Sequence, residues 1–199
     1  NGKGSTTAML AAVLHAAGLR TGMYTSPHLT DYPERFMVNG EAISRNALAA
    51  AIEHTRGFVA AMVAEGWEHP TEFEVLTVAA FYHFATAGVE YAVIVAGLGG
   101  LLDSTNVVMP EVSVITNVAL EHTDRCGSTV AEIARHKAGI IKETRPVVTA
   151  AGGEALAVIA KEAAAKAAPL YVLGQDFSAA VVGRDGWRRG AARPARRWR

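Results

Sequence analysis

Apolar positions along this chain alternate between a helical and a strand period. Met9, Leu10, Val13 and Leu14 recur at helical spacing, which predicts a helix from Ser5 to Ala17 stopped by Gly18. Thr21 to Thr25 reads as a short strand. Pro27 and Pro33 bracket a loop, and Phe36 to Ile43 predicts a hairpin or irregular segment turning at Asn39-Gly40. Ser44 is placed to cap a second helix reaching about Glu65. The stretch Gly66 to Pro70 breaks it, and Thr71 starts a third, strongly apolar helix to about Ala87. Tyr91 to Ala96 and Val112 to Thr116 are short apolar runs that predict buried strands. A helix follows at Val130–Ala138, a strand at Pro146–Ala150, an Ala-rich helix at Glu154–Ala167 and a strand at Leu170–Leu173.

Short β-branched runs alternating with amphipathic helices predict an α/β fold, a mostly parallel sheet with helices on both faces. No internal repeat stands out, and no linker precedes residue 174. One domain over 1–178 followed by a tail over 179–199 is the expected organisation.

Composition narrows this picture. The 199 residues are 50% hydrophobic and 19% charged, which excludes a fully disordered chain. No apolar run approaches the roughly 18 residues of a membrane span, so no membrane partner is expected. Cys126 is the one cysteine and cannot form an intramolecular disulfide, in keeping with a reducing cytoplasm. The balanced charge hides an asymmetry: seven of the 19 basic residues are arginines between Arg184 and Arg199, leaving an acidic body. Such a block predicts a disordered tail. A nucleic-acid role would rest on that tail alone and is not expected. The chain opens at Asn1, inside a motif and without a leader, which points to a start further upstream.

The candidate chemistry begins with Asn1-Gly2-Lys3-Gly4-Ser5-Thr6, directly before the first helix. Glycines there let backbone N–H groups converge, the helix N-terminus adds partial positive charge, and Lys3 supplies a cation. Ser5 or Thr6 could reach a phosphate or its Mg²⁺, or Ser5 could simply cap the helix. Further clusters fall at element ends, where α/β folds gather ligands. They are Thr25-Ser26-Pro27-His28-Leu29, Thr71-Glu72-Phe73-Glu74, Gly97-Leu98-Gly99-Gly100-Leu101-Leu102-Asp103-Ser104-Thr105-Asn106, Glu121-His122-Thr123-Asp124 and the segment from Arg135 to Lys142. Each has a plain structural alternative: a turn, a helix cap or charge compensation at a helix end. His15, His54, His69, His83 and His136 read as structural or exposed.

Taken in order, with Glu34-Arg35-Phe36, Asn39-Gly40 and Lys137-Ala138-Gly139-Ile140-Ile141-Lys142, these motifs resemble the folylpolyglutamate synthase/dihydrofolate synthase branch of the Mur ligase superfamily. The likeness covers about residues 1–178. It implies a P-loop-type central domain and an ATP-dependent carboxylate–amine ligase of folate metabolism. The γ-phosphoryl of ATP passes to a folate or pteroate carboxylate, and glutamate attacks the acyl phosphate. By position, the resemblance makes Asn1, Gly2, Lys3, Gly4, Ser5 and Thr6 ATP-binding, and Ser26 and His122 Mg²⁺ ligands. Lys3, His122 and Lys137 would be catalytic, Lys137 matching a carbamylated lysine. Thr71, Glu72, Phe73, Glu74, Leu102, Asp103 and Ser104 would meet the pteroate.

Three features depart from that pattern. The family's Mg²⁺-ligating Glu position holds Val95, large residues after the His motif are replaced by Arg125-Cys126, and family members run to about twice this length. A truncated, monomeric chain with little or no turnover is therefore expected, because a hard cation prefers oxygen ligands. A non-catalytic nucleotide-binding remnant and a muramyl-peptide ligase are the alternatives.

Overall fold

The computed structural model describes residues 2–121, 125–181 and 187–189. It divides into two compact units, Gly2–Leu98 with Asp103–Val107, and Gly99–Leu102 with Val108 onward.

The first unit opens with α1 (Lys3–Ala16) and β1 (Thr21–Tyr24). A 3₁₀ turn at Tyr32–Arg35 leads into β2 (Phe36–Val38) and β3 (Glu41–Ala42), then α2 (Arg45–Ala64), α3 (Glu72–Thr86) and β4 (Tyr91–Ile94). The sheet order is β3-β2-β1-β4. β1 runs parallel to β4, from Thr21 opposite Tyr91 to Tyr24 opposite Ile94, and antiparallel to β2. The β2–β3 turn uses Asn39 and Gly40, both at positive φ, as the Asn-Gly pair predicts. Helices α2 and α3 begin at Ser44 and Thr71, each hydroxyl accepting an N–H from three residues on. Their inner stripes meet Tyr24 and Phe36 in a core that includes Leu48, Leu76, Ala79, Ala80 and Phe84. A Cβ at Gly22 of β1 would lie 3.1 Å from the Phe84 ring, a tight approach, so the glycine lets α3 pack close to this strand.

The second unit holds β5 (Ser113–Ile115), α4 (Val130–Ala138), β6 (Val147–Thr149), α5 (Gly153–Ala165) and β7 (Leu170–Val172). Its three strands pair in parallel, in the order β5-β6-β7. α4 and α5 supply Ala134, Ala138, Ala155, Ile159 and Ala163 to a core with Ile115, Ile141 and Val147. Alanines here let helix backbones approach the strands closely. Two further strands, β8 (Ala179–Val181) and β9 (Trp187–Arg189), pair antiparallel within the expected tail. The other tail residues, 182–186 and 190–199, lie outside the described ones.

The α/β class and the parallel pairing agree with the sequence reading. Three local expectations differ. The α1 stripe is not core-facing: Met9 and Val13 are 62% and 66% exposed, and Thr7 is the buried residue of that helix. α1 packs on the short strands β1 and β4, which cover little of it. β4 is half-open rather than buried, with Tyr91 45% exposed, because its hydrogen-bonded neighbour is β1 on one side alone. Finally, α2 is long and apolar enough to cross a membrane by length and composition, although charged residues interrupt every long apolar run in it. In this fold Leu48, Ala51 and Thr55 seat it within the unit.

Candidate nucleotide site and its surroundings

The first turn of α1 starts without a side-chain cap. Gly2 is the N-cap, held at φ 79. The first helical hydrogen bond runs from the Thr6 N–H to the Gly2 carbonyl. The N–H groups of the first turn precede it and have no partner within the helix. Ser5 is therefore inside the helix and exposed, not its cap, which removes the capping alternative for that residue. Lys3 is half-buried, and its Nζ donates to the carbonyls of Ala96 at 3.0 Å and Gly97 at 3.3 Å, tying the turn to the segment after β4. Asn1 lies outside the described residues.

Lys3 and Gly4 line a pocket of about 390 Å³ with Thr25, Ser26, His28 and Val95 among its other walls. Ser26 thus stands where the sequence placed it, on the loop after β1, beside the first turn of α1. That loop is pinned by Glu34, whose carboxylate accepts the N–H groups of Leu29, Thr30 and Asp31 at 3.0–3.2 Å. These bonds hold the Glu34 carboxyl below its ordinary value, those from Leu29 and Thr30 most. The next residue, Arg35, is buried and donates from Nε to Nδ1 of His28 at 2.9 Å. Glu34 and Arg35 carry the sequence motif, yet their role in shaping this loop was not legible from spacing.

Magnesium does not fit what the described residues offer here. Magnesium beside a nucleotide is usually held by one or two protein carboxylates together with phosphate oxygens and water. Val95 is 6% exposed and gives the pocket an apolar wall at the position of the expected carboxylate. Glu34, the carboxylate that does line the pocket, is spent on backbone N–H groups. Among the described residues no group of three or more His, Cys, Asp or Glu is placed to hold a metal. His122 lies outside them.

The predicted substrate-binding residues separate into distinct roles. Glu74 completes a capping box, its carboxylate accepting from Thr71 N and Oγ1 at 2.7 Å, and those bonds lower its pKa. Phe73 stacks on Tyr24 with ring centroids 6.1 Å apart, and a Cβ at Gly97 would sit 2.7 Å from its ring. Glu72 accepts from Tyr32 Oη at 3.2 Å and lines a second cavity of about 720 Å³ with Asp31, Arg45 and His69. Asp103 staples its own loop, accepting from Leu98 N at 2.8 Å and Thr105 N at 3.0 Å. Ser104 joins a hydroxyl chain through Thr77 to Tyr24, each step 3.2 Å. Burial raises the Tyr24 pKa, so its hydroxyl stays protonated.

The remaining predicted residues belong to the second unit. Leu102 is 85% exposed. Lys137, near the end of α4, forms an ion pair with Glu121 at 2.9 Å. The glycines around it have packing reasons: a Cβ at Gly139 would come 2.5 Å from Leu101, and one at Gly100 would meet Ile140 and the His136 carbonyl. Leu101 N donates to that carbonyl at 2.8 Å.

Comparison with known proteins gives a consistent result. The family model of the Mur ligase middle domain matches residues 1–185. A probable bifunctional folylpolyglutamate synthase/dihydropteroate synthase of Halobacterium salinarum is 44% identical over 185 residues, 92% of this chain and 23% of that protein. The dihydrofolate synthase/folylpolyglutamate synthase of Bacillus subtilis is 44% identical over 175 residues, 87% of this chain and 41% of the relative. An FPGS–AMPPCP–folate complex superposes with a TM-score of 0.86 at 40% identity, covering 95% of this chain and 47% of that one. The chain thus spans less than half the length of these relatives.

Proposed function

Because the chain belongs to the Mur ligase middle-domain family, we propose that it binds ATP in the Lys3–Ser26 pocket and descends from an ATP-dependent ligase that joins glutamate to a folate or pteroate acid. The observation that carries this reading is the uncapped first turn of α1 beside Lys3, Ser26 and a loop stapled by Glu34. Those N–H groups and the Lys3 ammonium suit the charge of a polyphosphate, with Gly2, Gly4, Ser5 and Thr6 closest along the chain. AMPPCP and folate, bound together in a 40% identical relative, are the ligand classes to carry over.

In the reaction proposed, a carboxylate oxygen of the acid attacks the γ-phosphorus and ADP leaves. The glutamate amine then attacks the acyl carbon, phosphate leaves and the amine nitrogen loses a proton. Chemistry of this kind asks the protein for positioning and charge neutralisation. Lys3 and the first-turn N–H groups hold the transferring phosphoryl group. Glu72, which lines the 720 Å³ cavity, supplies a polar wall for the acid, and Phe73 is a further, aromatic candidate. Lys137 and His122 are further candidates, and no step is assigned to a protein-held cation. We place the chain in the cytoplasm as a monomer, in line with its lone, buried Cys126.

The apolar wall at Val95 favours weak ligation, and equally a remnant that binds nucleotide without turning it over. Calorimetry with AMPPCP, with and without Mg²⁺, should show binding that Mg²⁺ improves little. Lys3→Ala should weaken it at least tenfold, about 1.4 kcal/mol. Absence of AMPPCP binding would remove the nucleotide reading. Glutamate addition to folate at rates ordinary for such ligases would remove the expectation of weak turnover.

A further inference from the structure

Arg35 does something to His28 that no spacing rule announces. A guanidinium has no acceptor and does not deprotonate. The 2.9 Å bond from Arg35 Nε therefore makes His28 Nδ1 the accepting nitrogen, and the ring proton must sit on Nε2. Arg35 is held from further sides. Its Cζ lies 5.1 Å from the Tyr32 ring centroid, and the Glu72 carboxylate is 3.9 Å from Nη1. Tyr32 closes the group, its ring centroid 4.5 Å from that of His28 and its hydroxyl donating to Glu72. His28 Nε2 has no partner among the described residues. None of their buried side-chain polar atoms is left without one, so Nε2 is open to solvent. His28 also lines the pocket that holds Lys3, Gly4 and Ser26.

We propose that Arg35 is a positioning residue that fixes His28 as an Nε2–H donor, and that His28 donates to an anionic oxygen in this pocket rather than ligating a cation. A metal-bound imidazole must offer an unprotonated nitrogen. Here one nitrogen is taken by Arg35 and the other carries hydrogen. Lys3 contributes a second, positively charged donor to the same lining, and the Glu34 carboxylate, still an anion, has its oxygens engaged by three backbone N–H groups, so the donors of this lining suit an oxyanion. The oxyanion is a phosphoryl group or a carboxylate. This inference rests on the proposed function for the choice of ligand, but its tautomer half is independent of it.

Long-range ¹H–¹⁵N correlation spectra of the 199-residue chain test both halves, with His28 assigned by its loss in His28→Gln. The ligand-free chain should show His28 purely as the Nε2–H tautomer. Arg35→Lys should preserve that state, and Arg35→Ala should admit the Nδ1–H form. Inorganic phosphate, AMPPCP and folate are then added separately. A shift of Nε2–H by phosphate and AMPPCP assigns a phosphoryl oxygen; a shift by folate alone assigns a carboxylate. His28→Gln, whose carbonyl can accept from Arg35 while its amide donates, should keep that probe's affinity within a few-fold. His28→Ala should lose roughly tenfold or more. An Nδ1–H tautomer in the unmodified chain, direct ligation of cobalt(II) by the His28 ring, or an Nε2–H that none of the three probes moves overturns the proposal. Failure of AMPPCP to bind, with the tautomer intact and the phosphate shift present, would instead retire the ligase reading and leave this one standing.

Discussion

Val95 and Gly97 sit two residues apart after β4 and constrain the pocket in opposite ways. Val95 denies it an anionic oxygen. Val95→Glu should therefore raise the ratio of AMPPCP affinity with and without Mg²⁺ at least tenfold, about 1.4 kcal/mol, read by calorimetry. Since a buried carboxylate is costly without its cation, the same variant should melt lower than the parent chain and regain part of the loss with MgAMPPCP. Gly97 instead gives room. The Phe73 ring, already stacked on Tyr24, would have to shift to admit a Cβ 2.7 Å off. Gly97→Ala should cost about 1–3 kcal/mol of stability in urea unfolding.

At the scale of elements, acidic residues three positions past a Thr or Asp organise the helix and turn entries. Asp31 with Glu34, Thr71 with Glu74 and Thr129 with Glu132 all close capping boxes. Hydrogen bonds received by Glu34, Glu74 and Glu132 lower their pKa values below the ordinary 4.5. The folded value being the lower one, their contribution is fully present above pH 4.5 and fades as pH falls through the depressed folded values. Protection factors at Leu29, Thr30 and Thr71, exchange rates referred to the unfolded chain at the same pH, should fall across that acid window, and Glu74→Gln should make the Thr71 protection factor nearly pH-independent there. Thr71→Ala should cost about 1 kcal/mol, measured by thermal unfolding. The starts at Ser44 and Thr71 and the Asn39-Gly40 turn were legible in the sequence because a cap or a two-residue turn is settled within four residues of chain; the boxes at Asp31 and Thr129 were not read there. The burial of β4 and of α1 was not, because it depends on which neighbours arrive.

For the whole molecule, two apolar cores carry the stability. Ile159 is fully buried among alanines of α4 and α5, and Ile159→Ala should cost about 2–5 kcal/mol. Its first effect should be faster amide exchange in β5, β6 and β7, with β1 much less affected; equal acceleration in β1 would show that one core cannot loosen without the other. The family match over residues 1–185 is a property of the whole motif series. Any one of its clusters has an ordinary structural use, and for Glu74, Asp103 and Gly139 that use is what the coordinates display.

Element types, the α/β class and the motif order could be read from the residues alone, since propensity, periodicity and turn chemistry act over short stretches of chain. Whether an apolar stripe is covered, which carboxylate is consumed by backbone N–H groups, and which nitrogen of His28 carries hydrogen depend on partners brought together by folding. Arg35 is seven positions from His28, Lys3 reaches carbonyls more than ninety residues away, and Val95 and Ser26, just past the paired ends of β4 and β1, line one pocket. Hydrogen bonds and contact packing act over a few ångströms in space, so the chemical roles of these side chains are set by the fold.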